Sequence, residues 1–259
     1  MGPRKCKFCG NPADSREHVI PDWILQKINI QDEIRRVVGK SPPVWFCNVQ
    51  NLKVRSVCNA CNTGWMSDLE TDSKPTIERL LSGSSLFCLH KVQQAIIARW
   101  AVKTAMVFET TAPPPPKSKG HFYTHLECEQ LRLSSAIPPR TVVWLGQFSG
   151  VGLWASGTHI WHDGEIAESA THGQVITIVL DHLAIQVLTV HVLTENSAVT
   201  PNIPQNEAPC NWNQLTVPVW PIAGSISWPP FRSFSADGLF PIGLLVTRFK
   251  TGREALITC

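Results

Sequence analysis

No apolar run in this chain is long enough to cross a bilayer. The greasiest stretches, Ile176–Leu180 and Leu183–Leu193, are parted by Asp181-His182. Charge is also sparse, at 17% of residues, while hydrophobic residues make up 43% of the 259, so a disordered polyelectrolyte is excluded and a packed core is expected. The opening Met1-Gly2-Pro3-Arg4-Lys5 lacks the apolar centre of a secretory signal, and Cys6 stands where a myristoylation site needs Ser or Thr. A cytoplasmic protein is the expectation. No internal repeat is present.

Cysteine is plentiful, with nine residues unevenly arranged. Cys6 and Cys9 form one Cys-x-x-Cys pair, Cys58 and Cys61 a second; Cys47, Cys88, Cys128, Cys210 and Cys259 are scattered. In a reducing compartment, paired cysteines act as metal ligands more often than as disulfides, and scattered ones serve as small core residues. Two thiolates of one pair can reach the same ion from a tight knuckle, so two pairs supply the tetrahedral ligands of a structural zinc ion. A redox Cys-x-x-Cys is disfavoured by the presence of two pairs outside any thioredoxin-like context.

Charge is unevenly placed. Residues 1–119 hold 17 Lys and Arg against 10 Asp and Glu, a balance of +7, whereas residues 120–259 hold 6 against 10, a balance of −4. The N-terminal part is therefore the one suited to a polyanion.

Local patterns predict an α+β protein. A short helix follows Pro21 with Trp23, Ile24 and Ile28 on one side, and alternation over Leu52–Val57 predicts a half-buried strand leading into Cys58. A helix with Trp65, Met66 and Leu69 on one face follows Cys61, and Pro75 suits the first turn of another, Thr76–Leu81, ending at Gly83. Lys91–Thr110 has the clearest helical period, with Val92, Ala95, Ile96, Trp100, Lys103, Met106 and Val107 at steps of three and four. A Pro-rich linker is placed at 113–120, dividing an N-terminal module (1–112) from a mostly antiparallel β-rich domain (121–259). In the latter a short helix at 121–133 precedes strands Thr141–Phe148 and Val151–Trp161, then a hairpin of Val175–Leu180 and Leu183–Leu193.

Between and beside the cysteine pairs lie Glu17-His18-Val19-Ile20-Pro21, Asn51-Leu52 and Cys58-Asn59-Ala60-Cys61-Asn62. This order over residues 6–70, about a quarter of the chain, resembles the HNH, or ββα-metal, endonuclease family. The resemblance implies a zinc-stapled, treble-clef-like ββα module with flanking helices. It implies hydrolysis of DNA phosphodiester bonds by a catalytic Mg²⁺ or Mn²⁺ ion held by Glu17 and Asn62, with His18 as general base and Asn51 (or, second, Asn48) orienting it. Asp68 and Glu70 are further oxygen ligands to consider. Three departures stand out: Glu17 occupies a position where the family usually has Asp, Asn51 lies seven residues before Cys58, farther from the second knuckle than the family's orienting Asn, and Trp65 replaces a Lys often found three residues after the knuckle Asn. Two non-catalytic alternatives remain open: a zinc-dependent nucleic-acid-binding module, and a protein-interaction module using the Trp- and Pro-rich C-terminal part. Of the remaining histidines, His159, His162 and His172 read as loop residues and His191 as a hydrogen-bonded core residue.

Overall fold

The fold is taken from a computed structural model that describes residues 4–28, 44–48, 52–83, 86–111, 120–150, 152–161, 172–191 and 212–233. Asn51, His162, Cys210, Cys259 and most of the predicted 113–120 linker lie outside these residues.

At the centre stands α4, Lys91–Phe108, begun by a capping box between His90 and Gln93. The predicted apolar stripe underestimates its burial. From Ile97 to Phe108 every residue but Arg99 is buried, while Val92, placed on the inner face by periodicity, is 70% exposed. The reason is tertiary: α4 packs between α3 (Ser67–Leu81) on one side and the strands β5 (Thr141–Gln147), β8 (Leu183–His191) and β9 (Thr216–Trp220) on the other. A helix covered on both sides has no solvent face over its second half.

Those strands belong to a six-stranded antiparallel sheet of order β2-β6-β7-β8-β5-β9, completed by β2 (Val44–Asn48), β6 (Leu153–Trp161) and β7 (His172–Leu180). The predicted hairpin is present as β7 and β8 in register about Asp181-His182, with Asp181 at φ +54°. Ile176, Ile178, Ile185 and Val187 join the main apolar cluster on one face. On the other face, buried Gln186 donates to Thr177 Oγ1 at 3.0 Å. The edge strand β2 was not foreseen. It comes from the N-terminal part yet pairs with β6, Trp45 opposite Gly157 and Asn48 opposite Trp154.

Residues before and after the predicted linker also share one buried cluster, which runs from Cys6 and Phe8 through α4 to Val219 and Trp228. Strand β4 (Phe87–Leu89) pairs with β10 (Ile226–Trp228), again joining distant parts of the chain. The predicted helix at 121–133 is observed as α5, His125–Ser134, capped by Thr124 and Glu127. Its Glu127 Oε1 meets His191 Nε2 at 2.8 Å, and the His191 ring stacks on Phe122 at 4.2 Å, consistent with the hydrogen-bonded role read for His191.

Pro75 required a correction. It lies inside α3 rather than opening a new helix. Its missing N–H removes one helical bond, and burial of Leu69, Ile77, Leu80 and Leu81 on the same helix carries the segment through. The helix then stops before Gly83, at φ +68°, as its sequence indicated. Cys88 is exposed rather than a core residue, whereas Cys128 is fully buried. Among the described residues no helix is long and apolar enough to cross a membrane.

Candidate metal centre and active site

The first knuckle turns because Gly10, at φ +74°, takes a backbone conformation that costs glycine little. Its N–H donates to Cys6 O at 2.9 Å, and the Cys6 N–H donates to Asn11 O at 2.6 Å. The second knuckle opens a helix instead. The Cys61 N–H donates to Cys58 Sγ at 3.4 Å, the Asn62 N–H donates to Cys58 O at 3.0 Å, and Asp14 Oδ1 accepts from the Asn59 N–H at 2.7 Å. The two knuckles are joined by the Lys7 N–H, which donates to Ser56 O at 2.8 Å, and by Phe8 meeting Trp65 edge-on at 5.0 Å.

The sulfur atoms of Cys6, Cys9, Cys58 and Cys61 all lie within 4.8 Å of one another, so this group can hold a metal ion. A tetrahedral zinc with Zn–S bonds of about 2.3 Å requires sulfur separations of about 3.8 Å, and Cys9 and Cys58 stand at 3.4 Å. The donor set is four soft thiolates, which suits zinc better than a hard cation. Burial pushes the Cys9 and Cys61 thiols above their ordinary values. At Cys58 burial acts the same way but is outweighed by the Cys61 N–H and the neighbouring thiols, which hold it low.

Next to this centre, β1 (Glu17–His18) pairs antiparallel with β3 (Lys53–Val54), Glu17 opposite Val54 and His18 opposite Lys53. Directly opposed residues share a face. Glu17 and Val54 therefore point inward and are buried, while His18 and Lys53 lie together on the outer face. α2 (Asn59–Cys61) is followed by the turn Asn62–Met66, where the backbone kinks at Gly64 (φ −97°, ψ −118°), and then by α3. Asn62 Nδ2 donates to Ser15 Oγ at 2.7 Å, so the knuckle helix grips the segment leading into β1.

His18 Nε2 lies 3.0 Å from Asp22 Oδ1, at the start of α1 (Asp22–Ile28), and the imidazole is largely buried. Burial lowers its pKa below the usual 6.5; Asp22 opposes this and Lys53 adds to it. On the inner face, burial pushes the Glu17 carboxyl up to about 7, against the pull of Lys103 and with help from Glu70 and Asp22. Lys103 is fully buried and its Nζ donates to Glu70 Oε1 at 3.0 Å. Of the residues singled out by sequence, Glu17, His18 and Asn62 thus fall on one hairpin–helix unit. Asp68, like Glu70, lies in the first turn of α3. Asp22 and Lys103 were missed as site residues. The signals were there: an acid four residues after His18, and a charged residue on the apolar stripe of α4.

Among the described residues, the cysteines form the single group of three or more Cys, His, Asp or Glu side chains whose ligand atoms converge. No family model, curated protein or solved structure matches the chain.

The raised pKa of Glu17 has a consequence for stability. The folded chain retains this proton up to about pH 7, while the unfolded chain releases it near 4.5. The folded state therefore binds more protons between these values, and stability falls as pH rises from about 4.5 to 7. Above pH 7 Glu17→Gln is expected to stabilise the chain by about 3 kcal/mol when no second divalent cation is present. Thermal unfolding at pH 5 and pH 8 checks this; an equal effect of the substitution at both values contradicts it.

Proposed function

We propose that the chain is a zinc-stapled, metal-dependent phosphodiesterase of the HNH type that cleaves DNA. The observation that carries this reading is the outer face of the β1–β3 hairpin. There a histidine kept neutral by burial is held by Asp22 at 3.0 Å and stands opposite Lys53. With Nε2–H donated to Asp22, His18 Nδ1 accepts the proton of a water molecule attacking phosphorus. Lys53 lies where it offsets phosphate charge during that attack.

Glu17, on the opposite face of β1 from His18, and the Asn62 side-chain oxygen are the hard donors that would hold a Mg²⁺ or Mn²⁺ ion, which binds to one or two protein oxygens and completes its shell with water and phosphate. When bound, that ion would supply electrostatic stabilisation of the charge developing on the phosphate and leaving oxygen. A buried carboxylate with a raised pKa suits such a place, since a cation removes the cost of its charge. Lys103 and Glu70 hold the inner face in position behind Glu17.

A second reading, a zinc-dependent nucleic-acid-binding module without catalysis, is favoured by one fact. Among the described residues no second set of three ligating side chains converges near Glu17. Incubation of the zinc-loaded chain with supercoiled plasmid across a series of Mg²⁺ and Mn²⁺ concentrations separates the two. Nicked and linear products that depend on the added ion are expected. Intact plasmid at every concentration removes the nuclease reading.

A further inference from the structure

A cleft of about 1190 Å³ is lined by β3, the first knuckle and Gly120, His121, Tyr123, Thr124 and His125. Arg4, Lys5, Arg16, Lys53 and Arg55 line it, and all five are exposed. Among the described residues none of the five pairs with a carboxylate. A sixth cation, Lys7, also faces the cleft but is committed to Glu109 beneath it. Among the described residues no acidic side chain lines the walls, although the whole chain carries a net charge of only +3. Five unpaired cations around one concave surface form a concentrated field for a polyanion.

The arrangement of these cations is set by strand alternation. Lys53 and Arg55 are exposed on either side of buried Val54, and exposed Arg16 and partly exposed His18 flank buried Glu17. Because His18 opposes Lys53 across the hairpin, the basic stripe ends beside the imidazole. His121 and His125 also line the cleft, His125 held to the first knuckle by its Nδ1–H bond to Lys7 O at 3.0 Å.

We propose that this cleft binds the phosphodiester backbone of DNA and leads it to His18; the choice of DNA and the second clause rest on the nuclease reading, the affinity for a phosphodiester backbone does not. A backbone track fits better than a pocket for one phosphate, because the cations come from three segments of the chain and two of them, Lys53 and Arg55, stand two residues apart along one extended stretch. The contacts go to phosphates and carry no base readout, so binding is insensitive to sequence.

The test is fluorescence anisotropy of a short labelled duplex with the full zinc-loaded chain, across salt from about 50 to 300 mM. Five neutralised phosphates give a log–log salt slope of about −4.5. K5Q/R55Q, both exposed positions away from the apolar cluster, is expected to flatten that slope by about 2 and weaken binding at least about tenfold near 0.1 M salt. Lys74→Gln with Lys91→Gln, two exposed cations outside the cleft, serves as the control and leaves the slope in place. The proposal is overturned by an unchanged slope in K5Q/R55Q, by equal flattening in the control, by no binding of wild type, or by poly-glutamate of matched charge competing as well as DNA. Binding as expected without cleavage under any divalent ion removes the nuclease reading and leaves the cleft standing. Cleavage with an unaltered slope in K5Q/R55Q does the reverse.

Discussion

Cys58→Ala is expected to strip the chain of its metal and unfold the region around both knuckles. Structural zinc in thiolate sites contributes about 10–16 kcal/mol of apparent binding free energy near neutral pH, much of it expressed as folding. The local secondary structure cannot replace that contribution, because β1 and β3 are two residues each. Nor would the damage stay local. Cys6, Cys58 and Cys61 belong to the same buried cluster as α4, and Lys7 of the first knuckle is bonded to Glu109 at the end of that helix. Glu109 in turn accepts from the Phe122 N–H at 3.0 Å and from Gln174 Nε2 at 3.4 Å, tying the knuckle to α5's approach and to β7. A loss of only about 5 kcal/mol lowers Tm by roughly 10–20 °C in a chain of this size. Elemental analysis should give one zinc per wild-type chain and little in the variant, with calorimetry reporting the drop in Tm. Cys128→Ala is the control: it also empties a fully buried thiol position but should keep the metal. Retention of one zinc and an unchanged Tm in Cys58→Ala would show that the four-cysteine group is not a metal centre.

The second large effect is on chemistry. On the proposed nuclease reading, His18→Ala is expected to lower the rate of Mg²⁺-dependent cleavage by about 10²–10⁴, the usual contribution of a general base. Zinc content and far-ultraviolet circular dichroism should match wild type, since the imidazole is outside the main apolar cluster. The pH profile offers a readout that a structural role would not move. The base must be neutral, and burial has already lowered its pKa below 6.5, so the rate should be at its plateau by pH 7 and fall on the acid side. Asp22 opposes that lowering. Asp22→Asn should therefore shift the acid limb to lower pH and cost less in rate than His18→Ala. Equal cleavage by wild type and His18→Ala would exclude His18 as the base.

Glu17→Gln combines both kinds of effect. It is expected to stabilise the chain above pH 7 yet to weaken divalent-ion dependence, the pattern of a residue held in place at a cost to the fold.

Much of the candidate site was legible because its signals are local. Cys-x-x-Cys spacing declares a knuckle wherever the pairs lie, and the Glu17-His18-x-x-Pro21 order is read within a few residues. Alternation over Leu52–Val57 correctly indicated extended chain, although only Lys53 and Val54 pair in it. What escaped was contact between segments distant in sequence. Asp22 matters because a turn brings α1's first residue back to His18. Lys103 matters because α4 crosses behind the hairpin and delivers a charge to Glu70.

The sequence alone determined the paired cysteines, the Glu17-His18 and Asn62 positions, the long helix and the β-hairpin about Asp181-His182, since each depends on period, spacing or turn chemistry within a few residues. Tertiary structure alone decided that β2 joins a sheet otherwise built from later strands, that α4 is enclosed rather than half exposed, and that five cations from three separate segments line one cleft. Those outcomes depend on which surfaces meet after the chain has folded back on itself, and no local pattern records that.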